Sequence, residues 1–153
     1  MLSIAPIGSA KGAAAYYAAD NYYVDGQLTE ASEWAGLGAE KLGLQGKVDR
    51  DAFDTVLAGR LPNNSVIPDG VRGEHRPGLD LTFSAPKSIS LLAYIGGDAR
   101  LLDAHLASVK ESLAWAEANL AQAKVPNHGG QKLTETGNLV AALFAHDTSR
   151  DLD

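Results

Sequence analysis

The sequence has no cysteine, no long apolar run and no excess of positive charge. Because cysteine is missing from all 153 residues, the protein has no disulfide, no thiolate zinc site and no cysteine nucleophile. Its apolar runs are far too short to cross a membrane, and no basic segment of a secretory signal is visible. These absences predict a soluble protein of the cytoplasm, where thiols stay reduced and disulfides are rare.

The charge balance argues against nucleic-acid binding. The formal net charge is −6, whereas proteins that neutralise many phosphates usually present a basic surface. Basic residues do cluster between positions 72 and 87, at Arg72, His75, Arg76 and Lys87. On composition alone this cluster is solvated loop charge, so charge by itself does not favour a DNA-binding protein.

The hydrophobic pattern predicts an α+β protein with a mostly antiparallel sheet and helices packed on it. The predicted strands are 2–7, 79–84, 131–136 and 138–146, and the predicted helices are 10–19, 49–57, 86–92 and 98–123. Residues 61–78 contain three prolines and are predicted to form a long loop. No linker or internal repeat divides residues 1–153, which we therefore treat as one portion of a single domain.

Two of these elements give specific expectations about burial. In the strand 79–84, alternation predicts that Leu79, Leu81 and Phe83 face the core and that Asp80 lies on the opposite face. In the long helix, apolar residues recur every three or four positions from Leu102 to Leu120, which predicts one buried stripe. Asp98 is the predicted helix cap, and Pro126 with Asn127 is predicted to end the helix.

Four of the five tyrosines form two adjacent pairs, Tyr16-Tyr17 and Tyr22-Tyr23. Burial of the ring with the hydroxyl at its edge is the common role of tyrosine. Adjacent helical residues point in different directions, however, so one apolar face cannot bury both members of a pair. Some of these hydroxyls are therefore expected outside the core, although a free phenol with a pKa of about 10 is a poor nucleophile.

Two further residues are candidates for a metal site. His146 lies near the end of the last predicted strand, and Asp80 could orient a histidine by accepting its second ring proton. A single histidine does not make a metal site, and Asp80 is equally compatible with an ordinary exposed carboxylate. These residues alone leave both interpretations open.

Together, several segments resemble the TrwC/TraI-type conjugative relaxases, the MobF class of HUH tyrosine endonucleases that nick DNA. The resemblance begins at Met1–Ala5, continues through Asn21–Tyr23, and includes 34–46, 75–88, 136–140 and 146–150. The 75–88 segment, HRPGLDLTFSAPKS, is the most specific. The resemblance implies an α+β fold in which a nucleophile helix lies over a metal site on an antiparallel sheet.

The resemblance also implies roles for matched residues. Tyr16 resembles the nucleophile that attacks the scissile phosphate at a plasmid transfer origin, with Tyr17 as its neighbour. Tyr22 and Tyr23 resemble a second pair used in later strand transfer. His146 resembles the first of three histidines that hold a divalent metal ion, Mg²⁺ or Mn²⁺, and Asp80 resembles the acidic residue beside it. Arg76, Lys87 and Arg150 are expected to contact the DNA.

The implied partners are single-stranded DNA at the nick site, relaxosome accessory proteins and the coupling protein of a type IV secretion system. In the family, two more metal histidines follow the Thr-Ser-Arg segment in a His-x-His arrangement, whereas this sequence ends at Asp153. His75, His105 and His128 do not match those positions. We therefore expect an incomplete domain whose 153 residues alone do not assemble the metal site.

Three hypotheses follow. The first is a metal-assisted nickase that forms a 5′-phosphotyrosine intermediate through Tyr16. The second is a noncatalytic fragment that at most binds single-stranded DNA, which the acidic charge and the unmatched histidines favour. The third is a generic α+β interaction domain whose tyrosines belong to the core.

Overall fold

The computed structural model describes residues 1–19, 32–63, 65–66, 76–128 and 130–145. Their elements follow the order β1 (Leu2–Pro6), α1 (Ala10–Ala19), β2 (Ser32–Ala35), α2 (Leu37–Lys41), α3 (Arg50–Leu57), β3 (Leu79–Phe83), α4 (Lys87–Tyr94), α5 (Arg100–Leu120), β4 (Gln122–Asn127), β5 (Gly130–Glu135) and β6 (Ala141–Phe144). The prediction of an α+β fold is confirmed.

Within the described residues, the strands pair two by two: β1 with β3, β2 with β6, and β4 with β5. The β2–β6 and β4–β5 pairs are antiparallel. In the β1–β3 pair, Met1 and Ser84 exchange backbone hydrogen bonds, and the Ile7 N–H donates to the Gly78 carbonyl. Since the first residue of one segment meets the last of the other, this pair is antiparallel too.

The chain divides into two compact units, one formed by residues 1–5 and 80–139 and the other by residues 6–79 and 140–153. The second unit contains the larger apolar core. Its buried members come from β2, α2, α3 and the loop between the two helices: Trp34, Ala39, Leu44, Val48, Phe53 and Leu57. Ala142 and Phe144 of β6 pack against this cluster.

Helix α3 forms where sequence reasoning places it. Asp49 caps it, since the Ala52 N–H donates to Asp49 Oδ2 at 3.0 Å, which satisfies a donor that the first turn leaves unpaired. Phe53 and Leu57, four residues apart, are buried on one face of the helix. The Phe53 ring lies 6.4 Å from the Trp34 ring and 5.4 Å from the Phe144 ring, measured between centroids.

The first unit is built differently. It contains α4, α5 and the β4–β5 hairpin, and its buried residues among those described are Ala93, Glu117 and Ala121. No large apolar side chain of this unit is buried in the part of the chain that the structure describes. Helices α4 and α5 pack against each other, but their outer surfaces retain exposed leucines, an isoleucine and a tryptophan.

The predicted burial of strand β3 is wrong for Leu79 and Leu81, whereas Phe83 is half-buried. Leu79 is 62% exposed and Leu81 is 38% exposed, while Asp80 between them is half-buried. Alternation assigns the residues of a strand to its two faces. It does not reveal what covers each face, and within the described residues β3 pairs only with β1.

The end of the long helix also differs from the prediction. Helix α5 ends at Leu120, and Gln122–Asn127 forms strand β4, so Pro126 and Asn127 end a strand and not a helix. Ala99 occupies the N-cap position of α5 without a side-chain hydrogen bond, while Asp98 Oδ1 accepts from the Arg100 N–H at 3.3 Å. Leu120, the last member of the predicted stripe, is exposed. None of the helices in the described ranges is long and apolar enough to span a lipid bilayer.

We predict that Phe53→Ala destabilises the protein by about 3–5 kcal/mol, because it removes the ring that contacts both Trp34 and Phe144 and leaves a cavity. Urea unfolding followed by tryptophan fluorescence measures the change. Leu37→Ala is the matched control, since Leu37 is 51% exposed and its loss should change the unfolding free energy by no more than about 0.5 kcal/mol. Equal effects of the two substitutions would contradict the assignment of this core.

Candidate functional site

Helix α1 carries the first tyrosine pair. Its start is fixed by Ser9, whose Oγ accepts from the Gly12 N–H at 3.0 Å and whose carbonyl accepts from the Ala13 N–H at 3.0 Å. Tyr16 and Tyr17 both have helical backbone in the second half of α1. Successive helical positions are about 100° apart around the axis, at 3.6 residues per turn, so the two positions lie on different sides of the helix.

Four other predicted site residues fall outside the described residues. These are Tyr22 and Tyr23 of the second tyrosine pair, the metal candidate His146, and the DNA-contact candidate Arg150. Their predicted roles remain predictions.

Asp80 lies in strand β3 and is half-buried. Its strand is held at both ends, by the bonds between Met1 and Ser84 and by the bond from Ile7 to Gly78. The carboxylate therefore projects from backbone that is fixed by main-chain hydrogen bonds. A carboxylate that must orient another group needs a rigid support, and a strand held by main-chain hydrogen bonds is more rigid than a loop.

Two of the predicted DNA-contact residues are described, and both are exposed. Arg76 lies two residues before Gly78, just ahead of β3, and Lys87 is the first residue of α4. At the start of a helix the unpaired N–H groups favour an anion, and the Lys87 ammonium adds a positive charge at the same end. This end of α4 is compatible with a phosphate, as the prediction for Lys87 requires.

The described histidines do not form a metal site. His105 Nε2 lies 3.3 Å from the Phe83 carbonyl, which ties α5 to β3. His128 is exposed at the end of the β4–β5 hairpin. Within the described ranges no group of three or more histidine, aspartate or glutamate side chains could hold a metal ion. The residues present in those ranges thus do not fit a metal on their own.

The sequence predicts a break between two strands at residue 137, but sequence reasoning missed the hydrogen-bonded turn that joins β5 to β6 there. The Thr136 N–H and Oγ1 both donate to the Ala121 carbonyl, at 2.9 and 3.2 Å, and Asn138 Nδ2 donates to the Thr136 carbonyl at 2.8 Å. Gly137 has a φ of 57°, a left-handed conformation that glycine adopts without strain. The buried carboxylate of Glu117 accepts from the Leu139 N–H.

This turn, Thr136–Leu139, is fastened to the C-terminal end of α5 and leads directly into β6. Glu117 looked like an ordinary polar residue of an amphipathic helix, because its partner is 22 positions away in sequence. The one local signal was the Thr-Gly-Asn tripeptide, which is typical of a turn.

Within the described ranges, the groups whose pKa values are displaced lie at the start of α5. Arg100 Nε and Nη2 donate to the two carboxylate oxygens of Asp98, at 2.8 and 2.7 Å. These charged hydrogen bonds lower the pKa of Asp98 and raise that of Arg100. The pair joins the residue before the N-cap position to the first residue of α5.

Comparison with known proteins gives one consistent result. Residues 10–153 match the sequence profile of the TrwC relaxase family. The chain is 54% identical over 155 residues to the multifunctional conjugation protein TraI of Escherichia coli strain K12, covering 99% of this chain and 9% of TraI. A second Escherichia coli TraI is 53% identical over 157 residues, with the same 9% share.

The chain is also similar to solved structures of a TrwC relaxase. The metal-bound structure of the conjugative relaxase TrwC in complex with oriT DNA is 44% identical with a TM-score of 0.80, covering 97% of this chain and 52% of that one. The metal-free complex is 42% identical with a TM-score of 0.81 and covers 99% and 51%. This chain thus spans about half the length of the solved relaxases and about a tenth of the curated relatives.

We predict that Ser9→Ala destabilises the protein by about 1 kcal/mol, because it removes the acceptor for a first-turn N–H of α1. Ser9→Asp should retain most of the stability, since its carboxylate can accept the same bond and lies at the positive end of the helix dipole. Urea unfolding and the helical circular dichroism signal measure both variants. A Ser9→Asp protein as unstable as Ser9→Ala would show that capping is not the role of Ser9.

Proposed function

The chain belongs to the TrwC relaxase family, and from that premise we propose that residues 1–153 are the N-terminal portion of a domain that nicks one DNA strand at a plasmid transfer origin. The observation that carries this proposal is the position of the Tyr16-Tyr17 pair on the capped helix α1, within a family match that covers residues 10–153. Its relatives support the proposal, since TraI is a conjugation protein and TrwC has been solved with oriT DNA.

The proposed reaction is a transesterification. The Tyr16 oxygen attacks the phosphorus of the scissile phosphodiester after the phenol loses its proton to solvent. The bond from phosphorus to the 3′ oxygen breaks, and that oxygen takes up a proton and leaves as a 3′ hydroxyl. The 5′ phosphate stays on Tyr16 as a phosphotyrosine. Because one ester replaces another, a later hydroxyl can reseal the strand without ATP.

A divalent metal ion, Mg²⁺ or Mn²⁺, is part of this proposal, with His146 as one ligand. TrwC structures with metal and with copper support a metal in the family. When bound, such an ion stabilises negative charge on the phosphate oxygens and favours the ionised phenol. Asp80, on its fixed strand, would orient a ligand histidine by accepting its second ring proton.

The proposed substrate is single-stranded DNA, in which the scissile phosphate is accessible. Arg76 and Lys87 are exposed and can pair with backbone phosphates, and Arg150 is proposed to do the same. Two local cations are compatible with the overall charge of −6, because phosphate contacts depend on the local potential. Relaxosome proteins, a type IV coupling protein and action in the cytoplasm remain proposals from the family.

We predict that Tyr16→Phe abolishes a covalent DNA adduct. The assay uses the 153-residue chain, and a chimera in which it continues into the part of TrwC that it does not cover. Each is incubated with single-stranded oligonucleotides that carry candidate nick sites, with and without Mg²⁺ or Mn²⁺. The chimera should form a metal-dependent adduct with a 3′-labelled oligonucleotide and release a shortened product from a 5′-labelled one.

The matched control is Tyr94→Phe, which removes an exposed phenol at the end of α4 and should leave the adduct intact. An adduct that persists in Tyr16→Phe would exclude Tyr16 as the nucleophile. If the chimera forms the adduct and the 153-residue chain only binds the oligonucleotide, the chain alone is a noncatalytic DNA-binding fragment. If neither protein binds, the nickase proposal fails.

We also predict that the double substitution Arg76→Ala and Lys87→Ala lowers the affinity for single-stranded DNA. It should also make that affinity less dependent on salt concentration. Each lost phosphate contact should lower the slope of log affinity against log salt concentration by about 0.7. Fluorescence anisotropy with a labelled oligonucleotide measures the slope. The control is Arg60→Ala, which removes an exposed cation outside the segments that resemble the relaxases and should leave the slope unchanged. An unchanged slope in the double variant would contradict the role of Arg76 and Lys87 as phosphate contacts.

A further inference from the structure

Helix α1 has very few large side chains with which to hold its place. Of its ten residues, six are alanine and one is glycine, and the others are Lys11, Tyr16 and Tyr17. A helix of this length is marginally stable by itself in water, so it depends on packing against the rest of its unit. Because alanine buries only a methyl group, most of the apolar area that α1 can bury belongs to the two tyrosines.

The side of α1 that faces the protein can be read from its first six residues. Ala10 and Ala13 are half-buried and pack against the apolar core of the second unit. Lys11, Gly12 and Ala15 are exposed. Helix α3, which belongs to the same unit, is in contact with α1. The inward direction of α1 therefore lies midway between Ala10 and Ala13.

The helical repeat then separates the two tyrosine positions. With about 100° between successive residues, position 17 lies about 10° from the midpoint of Ala10 and Ala13, and position 16 lies about 90° from it. The exposed Ala15 lies about 170° from the same midpoint, on the opposite side of the helix. Position 17 thus continues the inward stripe of α1, whereas position 16 is on its flank.

The two positions suit different tasks. A nucleophile must reach a phosphate of the DNA, which a flank position allows. A large ring on the inward stripe removes more apolar area from water than the alanines beside it do, so it resists rotation and fraying of the last turn of α1. In-line attack needs the reacting atoms held about 3–3.5 Å apart. A small displacement of this turn, which carries Tyr16, would therefore slow the reaction.

We propose that Tyr17 is a positioning residue, which holds helix α1 on the core of its unit through its ring and takes no part in the reaction through its hydroxyl. This role rests on the proposed function, because Tyr17 acts through Tyr16. Two residues that are adjacent and identical in the sequence thereby have unequal roles. Position 17 consequently needs a large apolar ring, and phenylalanine should serve there as well as tyrosine.

Three substitutions separate the ring from the hydroxyl. Tyr17→Phe keeps the ring at position 17, Tyr17→Ser removes it, and Tyr16→Ser removes the ring on the flank. Hydrogen exchange of the α1 amides is measured in the 153-residue chain without DNA or metal. We expect exchange at least tenfold faster in Tyr17→Ser and less than threefold changed in the other two. Equal acceleration by the two serine substitutions would overturn the proposal.

The β4–β5 hairpin supplies an internal control, because it belongs to the other unit. Its amides should exchange at unchanged rates in all three variants, which distinguishes a loosened α1 from unfolding of the whole chain.

The second measurement uses the chimera with TrwC described above and a 3′-labelled single-stranded oligonucleotide. At saturating DNA, Tyr17→Phe should form the covalent adduct at a rate within twofold of the unsubstituted chimera. Tyr17→Ser should be at least tenfold slower with unchanged DNA affinity, as expected when the nucleophile is misplaced and not when a DNA contact is lost. Loss of the adduct in Tyr17→Phe, which keeps the ring whether or not the serine variant folds, would contradict the proposal.

The two measurements fail separately. If the unsubstituted chimera forms no adduct, the nickase proposal fails, whereas the exchange rates still show whether position 17 anchors α1. If the adduct depends on Tyr16 and the two serine variants exchange equally fast, the role of Tyr17 alone is wrong.

Discussion

The contact of Phe53 with Trp34 and Phe144 is the interaction on which the best-packed part of the molecule depends. It joins helix α3 to both strands of the β2–β6 pair, with ring centroids 6.4 and 5.4 Å apart. Trp34 and Ala142 are direct partners in that pair, and Ser32 is opposite Phe144. The aromatic contact therefore fixes which face of β6 points inward. Strand β6 ends at Phe144.

The sequence could predict the α3 part of this core because its signals are local. Phe53 and Leu57 are one helical turn apart, and Asp49 stands where a helix cap is expected. Strand β2 could not be found in the same way, since Ser-Glu-Trp-Ala is too short to show alternation. The predicted helix 98–123 includes the first two residues of β4, because glutamine and alanine favour helices. The pairing of β4 with β5 across the hairpin, a tertiary effect, decides the outcome.

The candidate site likewise has features that the sequence predicts and features that it does not. Helix α1 follows from alanine content and the Ser9 cap, yet no physical property of Tyr16 in the sequence distinguishes it from Tyr17. Its proposed role comes from the family resemblance. Asp80 was correctly placed on a strand, but its burial was not predictable, because alternation names two faces without saying what covers each. The role of Glu117 was not predictable for a related reason: its hydrogen-bond partner Leu139 lies 22 positions away.

The Thr136–Leu139 turn has an evolutionary consequence. It is held at fixed length by hydrogen bonds at both ends, from Thr136 to the Ala121 carbonyl and from the Leu139 N–H to Glu117. A gain or loss of one residue there would prevent both bonds from forming together and would take one hydrogen bond from the buried Glu117 carboxylate. The exposed end of the β4–β5 hairpin, at Asn127 and Gly130, carries no such constraint. Relatives can therefore vary in length at the hairpin end, whereas selection must preserve residue spacing in the turn.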